Sequence, residues 1–579
     1  MKIFALLIAF TISLAGCSTE DQSSDGSSPT AASDAADTVY TNGNFYTVNT
    51  AQPWAEAVAV KDGKIIAIGS GADIEAMIGT ETQIVDLGGR FAMPGVVDTH
   101  AHAMEGGGSN SLTWKLLSSA DNPTWEEIDS SIRDGKEQLG EGKEWFVGYN
   151  MTKLAFPEGM YHKSYLDEVF GDMPAFIYIE GMHEALVNSK ALELAGLTKD
   201  SPDPPAGALQ RESDTGELTG ALTESSAFDL VYNVIPVATP EERDAAYKRG
   251  LQMMTAAGVT AMMEAWSNDE ELEIISAWVG NWDLPIHAKI SIESIGYGTE
   301  DDALSGAETI ANFNKYNVPQ HMRFAKVRAD GDLTGKTGYM NDPYGGGGTG
   351  ELVLPAEVWK EKIRDLDASG LQIKIHAIGD GAVRASLDIF EELIEKRGGN
   401  DLRHHIDHIN FVAEVDIARF AASGIPTSPL SILAQPWAFT MLQKELVGEE
   451  RFENTLLPFG RLIATGAMVA YHSDWDASPV ISPFYNAQLM VTRSIPGNEE
   501  QGSVPQDSDK LTVEQALRVL TLNGAYVMGL DDVTGSLEIG KYADMIVLDQ
   551  NLFEIPSNDI AKTSVVQTIF KGEVVYERD

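Results

Sequence analysis

Cysteine is almost missing from this chain: its 579 residues include one, Cys17. A single thiol excludes an internal disulfide framework and leaves cysteine-nucleophile chemistry without support. No Gly-x-Ser-x-Gly elbow occurs, so a serine nucleophile of that type lacks support too. Positive charge is scarce, with 41 Lys and Arg against 87 Asp and Glu, for a formal net charge of -46. Such an acidic surface repels nucleic acid and anionic lipid and argues against both as partners, while it suits a salty medium and draws cations. There is no tandem repeat. The apolar run Ile3 to Ile12 is too short for a membrane span.

What that run does fit is export. One lysine, the apolar stretch and then small residues read as a secretory signal peptide over residues 1–16. The following "LAGC" resembles a bacterial lipobox, which makes Cys17 the lipidated first residue of an exported lipoprotein. The expected site is the periplasmic face of a membrane, the outer one before the inner, with the lipid as the only membrane contact. Residues 17–37, rich in Ser, Asp and Ala, read as a flexible tether.

A chain this long needs at least two structural units. From Val39 to Leu87 short alternating segments are broken by turns, including an Asp62-Gly63 hairpin signal. The C-terminal "GSLEIGKYADMIVLD" and "SVVQTIFKGEVVYE" repeat that style. Residues 38–93 and 526–579 are therefore expected to form one small β-sandwich. The stretch 94–525 reads as eight β/α units in series, with strands at 95–102, 258–265, 286–294, 322–330, 371–380, 402–410, 424–431 and 467–474. The fold class expected is α/β, a (β/α)8 barrel plus the sandwich. The interval between the first two strands is too long for one crossover, so about 104–240 must hold an inserted subdomain with a strand at "AFIYIE".

Chemistry gathers at the strand ends. His100 and His102 lie two apart on the first strand, which puts both imidazoles on one face. Lys326 falls in the fourth strand, "FAKVRAD", where a buried unpaired amine is costly. His376 ends the fifth strand, His408 the sixth, and Asp474 the eighth. In a barrel these ends converge on one mouth. The segment "NDPYGGGGTGEL" has GxGxxG spacing but does not join a strand to a helix, so dinucleotide binding is not expected. It reads as a mobile loop near the mouth.

Taken together, "GVVDTHAH", "AKVRADG", "IKIHAIGD", "HHIDH", "YHSDW" and "GSLEIGKYADMIVLD" resemble the metal-dependent amidohydrolase superfamily. With "GMHEALVNSKALELAGL" and "GALQRESDTGELTGALTE", the similarity is to its N-substituted formamide deformylase-like (YtcJ-like) branch, from about Thr38 to the end. The resemblance implies a divalent metal centre, zinc by default, and hydrolysis of a carbon–nitrogen bond outside peptides in a small amide such as an N-formyl or N-acyl compound. It implies His100 and His102 on a buried metal, His376 and His408 on a second, and Lys326 as a bridging carboxylated lysine if two ions bind. It implies Asp474 as ligand and general base, His183 as a hydrogen-bonding group near the substrate, and a possible homodimer. The pattern departs from the family at Asp407, where Glu is usual, and at His472, where a small residue is common. Readings left open are a dipeptidase, cyclic amidase or lactonase on the same fold, and a ligand-binding lipoprotein without catalysis.

Overall fold

A computed structural model describes residues 35–108, 113–117, 123–139, 144–179, 181–236, 239–281 and 284–578. Its centre is a parallel sheet of seven strands, each following the last. They are β1 (Val96–Ala101), β2 (Val259–Ser267), β3 (His287–Ile295), β4 (Arg323–Arg328), β5 (Gln372–Ala377), β6 (His405–His408) and β7 (Thr427–Pro429). Near-continuous burial along them is what a sheet covered on both faces requires. Residues 468–474 close the ring by hydrogen-bonding both edges. Thr427 N–H donates to Met468 O at 2.9 Å, and Ala470 N–H to Thr427 O at 2.8 Å. On the other side Thr99 N–H donates to Tyr471 O, and Asp474 N–H to His100 O, both at 3.0 Å. All eight expected staves are therefore in place, the last without regular strand geometry.

The termini build two sheets together, as their shared turn-rich pattern suggests. One holds the strands Thr38–Thr41, Ala57–Lys61, Lys64–Gly69 and Gln83–Asp86. The other interleaves Asn44–Tyr46, Trp54–Ala55 and Phe91–Pro94 with Met545–Leu548, Val565–Phe570 and Glu573–Glu577. Phe45, Leu87, Ala92, Met545, Val547 and Ile569 fill their common core. His287 at the base of β3 meets Asp544 at 2.8 Å, tying the barrel to this unit.

The insertion has its own six-stranded sheet, from Thr113–Lys115 to Leu218–Thr223, with "AFIYI" at Ala175–Ile179 inside it. Separate apolar clusters cover its two faces. The barrel resumes at helix Pro240–Ala256, which begins with a Thr239 capping box and Pro at its first position.

Two expectations change. Residues 35–37 of the expected tether are folded: Ala36 is buried and its N–H donates to Met77 O at 2.8 Å. The glycine-rich loop does not border the mouth. Gly346, Gly347 and Gly348 take φ of 95°, 93° and 79°, which only glycine adopts cheaply, and the loop folds back on itself. Gly345 N–H donates to Leu446 O, and Arg451 donates to the Asp342 and Pro343 carbonyls, so it packs against the helices Ala438–Val447 and Glu449–Thr455. Cys17 and the signal sequence lie outside the described residues. Among the described residues, no helix is long and apolar enough to cross a membrane.

Candidate metal centre and active site

The strand ends open into one cavity of about 580 Å³, and His100, His102, His183, Lys326, His376, His408 and Asp474 all line it. The side chains meet closely. Ligand atoms of His100, His408 and Asp474 lie within 4.8 Å of one another. Asp474 Oδ1 is 3.2 Å from His100 Nε2 and 3.3 Å from His102 Nε2. The rings of His376 and His408 are 4.3 Å apart between centroids, and that of His183 is 5.7 Å from His376.

Several of these groups occupy strained backbone. His408, Ile409 and Asp474 have φ of 70°, 34° and 55°. Non-glycine residues in the left-handed region cost stability and gather where geometry serves a function. At His408 the turn breaks strand alternation, which lets both Asp407 and His408 reach the barrel interior.

Burial sets the charges. His376 and His408 are pushed well below the usual histidine pKa by burial, so both rings are neutral. His376 Nε2 and both nitrogens of His408 are buried without a hydrogen-bond partner. Neutral imidazoles with free lone pairs beside a carboxylate are a donor set for a divalent cation, and the residues fit one. Burial opposes the charge on Asp474, but the hydrogen bond from His102 and the His100 ring beside it outweigh it and hold the carboxyl well below its ordinary range.

Behind the ligands sits a supporting layer. Asp407 accepts from His100 Nδ1 at 2.8 Å and from Ser428 at 3.0 Å, leaving His100 Nε2 facing the cavity. Lys374, fully buried on β5, places Nζ 3.8 Å from Asp407 and 3.4 Å from His100 Nδ1. Burial lowers it to about 8. The indole N–H of Trp266 donates to His102 Nδ1 at 3.0 Å. An indole can only donate, so His102 turns an Nε2–H toward Asp474. The three groups whose ligand atoms all lie close to one another are His100, His408 and Asp474, and His102 Nε2 meets the same Asp474 oxygen.

Lys326 has no carboxylate within ion-pair distance among the described residues. Asp330, the obvious partner four residues on, is engaged elsewhere: it accepts the N–H groups of Tyr339, Ile378 and Gly379. Burial, and then the charge of Lys374 beside it, pushes the Lys326 amine well below its usual pKa.

His183 stands on the insertion side of the mouth. Its Nδ1 meets Glu224 at 2.8 Å, and Thr337 hydrogen-bonds the other Glu224 oxygen. Burial works against a charge on His183, but Glu224 outweighs it and holds the ring above its ordinary pKa. His472 is buried, pushed down to about 4 by burial, and does not line the cavity. His162, His287 and His404 serve caps and packing contacts.

Sequence reasoning missed Lys374, Trp266 and Glu224. Lys374 had a signal, since it shares its strand face with His376 two residues on. Trp266 had none, and Glu224 ends the segment "GALQRESDTGELTGALTE", which carries the resemblance but does not show that it meets His183.

Residues 83–576 match the model of the Amidohydrolase family. The chain is 27% identical over 548 residues to Protein LONG AFTER FAR-RED 3 of Arabidopsis thaliana, spanning 93% of this chain and 92% of that one. It is 27% identical to the putative amidohydrolase YtcJ of Bacillus subtilis (93% and 99% covered) and 24% to N-substituted formamide deformylase of Arthrobacter pascens (94% and 98%). An uncharacterized metal-dependent hydrolase from Pyrococcus horikoshii OT3 superposes with a TM-score of 0.68 at 23% identity, covering 90% of this chain and 99% of that one. A barrel, a terminal sandwich and a histidine–aspartate centre thus agree with the family match, and the chain belongs to the amidohydrolase family.

Proposed function

We propose that this protein hydrolyses a carbon–nitrogen bond of a small, non-peptide amide such as an N-formyl or N-acyl compound. The observation that carries it is the convergence of His100, His408 and Asp474 on one cavity, where both His408 nitrogens are buried without a hydrogen-bond partner. The deformylase relative supports the choice of bond.

His100, His408 and Asp474 would hold one divalent ion, zinc by default, with His102 beside them and His376 positioned for a second. Such an ion polarises a carbonyl and lets a water deprotonate near neutral pH. Asp474, held anionic, takes the proton of the attacking water and delivers it to the leaving nitrogen. His183, oriented by Glu224, donates a hydrogen bond to the carbonyl oxygen as negative charge builds there. Burial and the charge of Lys374 make Lys326 give up its proton more readily than a free lysine, and a neutral amine adds to carbon dioxide, releasing one proton and forming a carbamate. The carbamate would replace a costly buried amine with anionic oxygens able to serve as metal ligands. Turnover of a panel of N-formyl, N-acyl and dipeptide amides tests the reading, and exclusive cleavage of dipeptides contradicts it.

The N-terminal "LAGC" supports export and lipidation at Cys17. Labelling with a radioactive fatty acid in a bacterial host tests it: Cys17→Ala loses the label if Cys17 carries the lipid.

A further inference from the structure

The cavity is acidic on its walls as well as at its metal centre. Eight Asp and Glu residues line it against three Lys and Arg. Most are engaged. Glu293 binds Arg328 at 2.6 Å, and Arg328 also stacks over Tyr297 at 4.7 Å. Asp229 is different. It lies on the insertion helix Ser225–Tyr232 and lines the cavity, and its carboxylate has no hydrogen bond or ion pair among the described residues.

Its surroundings are aromatic. Phe228 and Tyr232 flank it on the same helix, and Tyr178 stands opposite on the strand Ala175–Ile179. Tyr178 is 5.4 Å from Phe228 at 88° and 5.9 Å from Tyr232 at 48°, between ring centroids. All three residues border the cavity. Burial pushes the Asp229 carboxyl up to about 7, and Glu293 pushes it further than Arg328 pulls it back. The nearby cation, Arg328, is already paired with Glu293. Aromatic rings and an unpaired carboxylate lining one cavity are the chemistry that recognises an ammonium group, by cation–π attraction and one ion pair.

We propose that Tyr178, Phe228, Asp229 and Tyr232 form a specificity pocket for a cationic amine carried by the substrate. The substrate class is then an amide with an ammonium group remote from the scissile carbonyl. This rests on the hydrolytic reading above but is read out separately from it. The net charge of -46 gives the whole molecule a field that concentrates cations.

Two measurements test it on the metal-loaded protein. In the first, a matched pair of N-acyl amides differs only in a terminal trimethylammonium or its neutral tert-butyl isostere. The cationic member is expected to have a kcat/KM higher by about tenfold or more. In Asp229→Asn the ratio should collapse toward one, and in Tyr178→Leu it should fall. A ratio of one in the unaltered protein, or an unchanged ratio in both variants, overturns the proposal. The second is calorimetric titration with phenethyl-trimethylammonium, which needs no turnover. Saturable binding weakened about tenfold in Asp229→Asn supports the pocket even if neither amide is cleaved, a result that would fault only the hydrolytic reading. No binding of this cation by the unaltered protein overturns the pocket.

Discussion

Asp407 accepts a hydrogen bond from Nδ1 of His100 at 2.8 Å, at the floor of the cavity and out of reach of any substrate. That contact fixes the proton on Nδ1 and leaves Nε2 as the ligand atom. Burial opposes the charge on Asp407, but His405 and the hydrogen bond from His100 hold its pKa well below the usual range. Asp407→Asn should weaken metal affinity by about 10- to 100-fold, because a lost outer partner costs that much at metal sites. Competition with a chelator of known affinity measures it.

Lys326 bears on how many ions are held. Lys326→Ala should retain one ion and lose the other, with native mass spectrometry showing loss of the extra carboxyl. A variant that keeps two ions and full activity rules out the bridging carbamate.

His183 should matter for rate and not for metal. His183→Ala is expected to lower kcat by about 100-fold while metal content stays unchanged, as removal of one donor to a developing oxyanion does. Glu224→Gln should follow in the same direction with a smaller loss, since Glu224 acts through His183. Steady-state kinetics alongside elemental analysis separates the two roles.

His404 predicts an acid-sensitive term in stability. Its Nδ1 accepts the Ile373 N–H at 3.0 Å, its Nε2 meets Asp367 at 2.8 Å, and it stacks on Phe390. The fold needs the neutral ring, and burial lowers its pKa below 6.5. Above 6.5 folded and unfolded rings are both neutral, so the stabilisation is complete. As pH falls from 6.5 through the lowered folded value, the unfolded chain takes up the proton first and stability is lost, by at most about 1.4 kcal/mol per pH unit for this ring. His404→Gln should flatten that part of the curve of denaturation midpoint against pH.

Much of the architecture was legible because strand ends in a barrel carry recognisable chemistry. His100, His376, His408 and Asp474 all line the one cavity on which the strand ends converge, and the turn-rich termini pair as their likeness suggested. The rest depended on neighbours far away in the chain. Trp266 reaches His102 across 164 residues, and Glu224 reaches His183 from a backbone position at φ 64° that no local pattern announces. A loop after a barrel strand is expected near the mouth, but contacts of Asp342, Pro343 and Gly345 with Leu446 and Arg451 hold the glycine-rich loop against the helices after Trp437, and it adds no residue to the cavity lining.

The central claim is that His100, His408 and Asp474 hold a divalent ion on which hydrolysis depends. The direct measurement is elemental analysis of the purified protein, paired with amide turnover before chelation, after it, and after metal is returned. The account predicts about one or two equivalents of divalent metal, with activity lost and regained in step. Full turnover by protein holding less than about half an equivalent would contradict it.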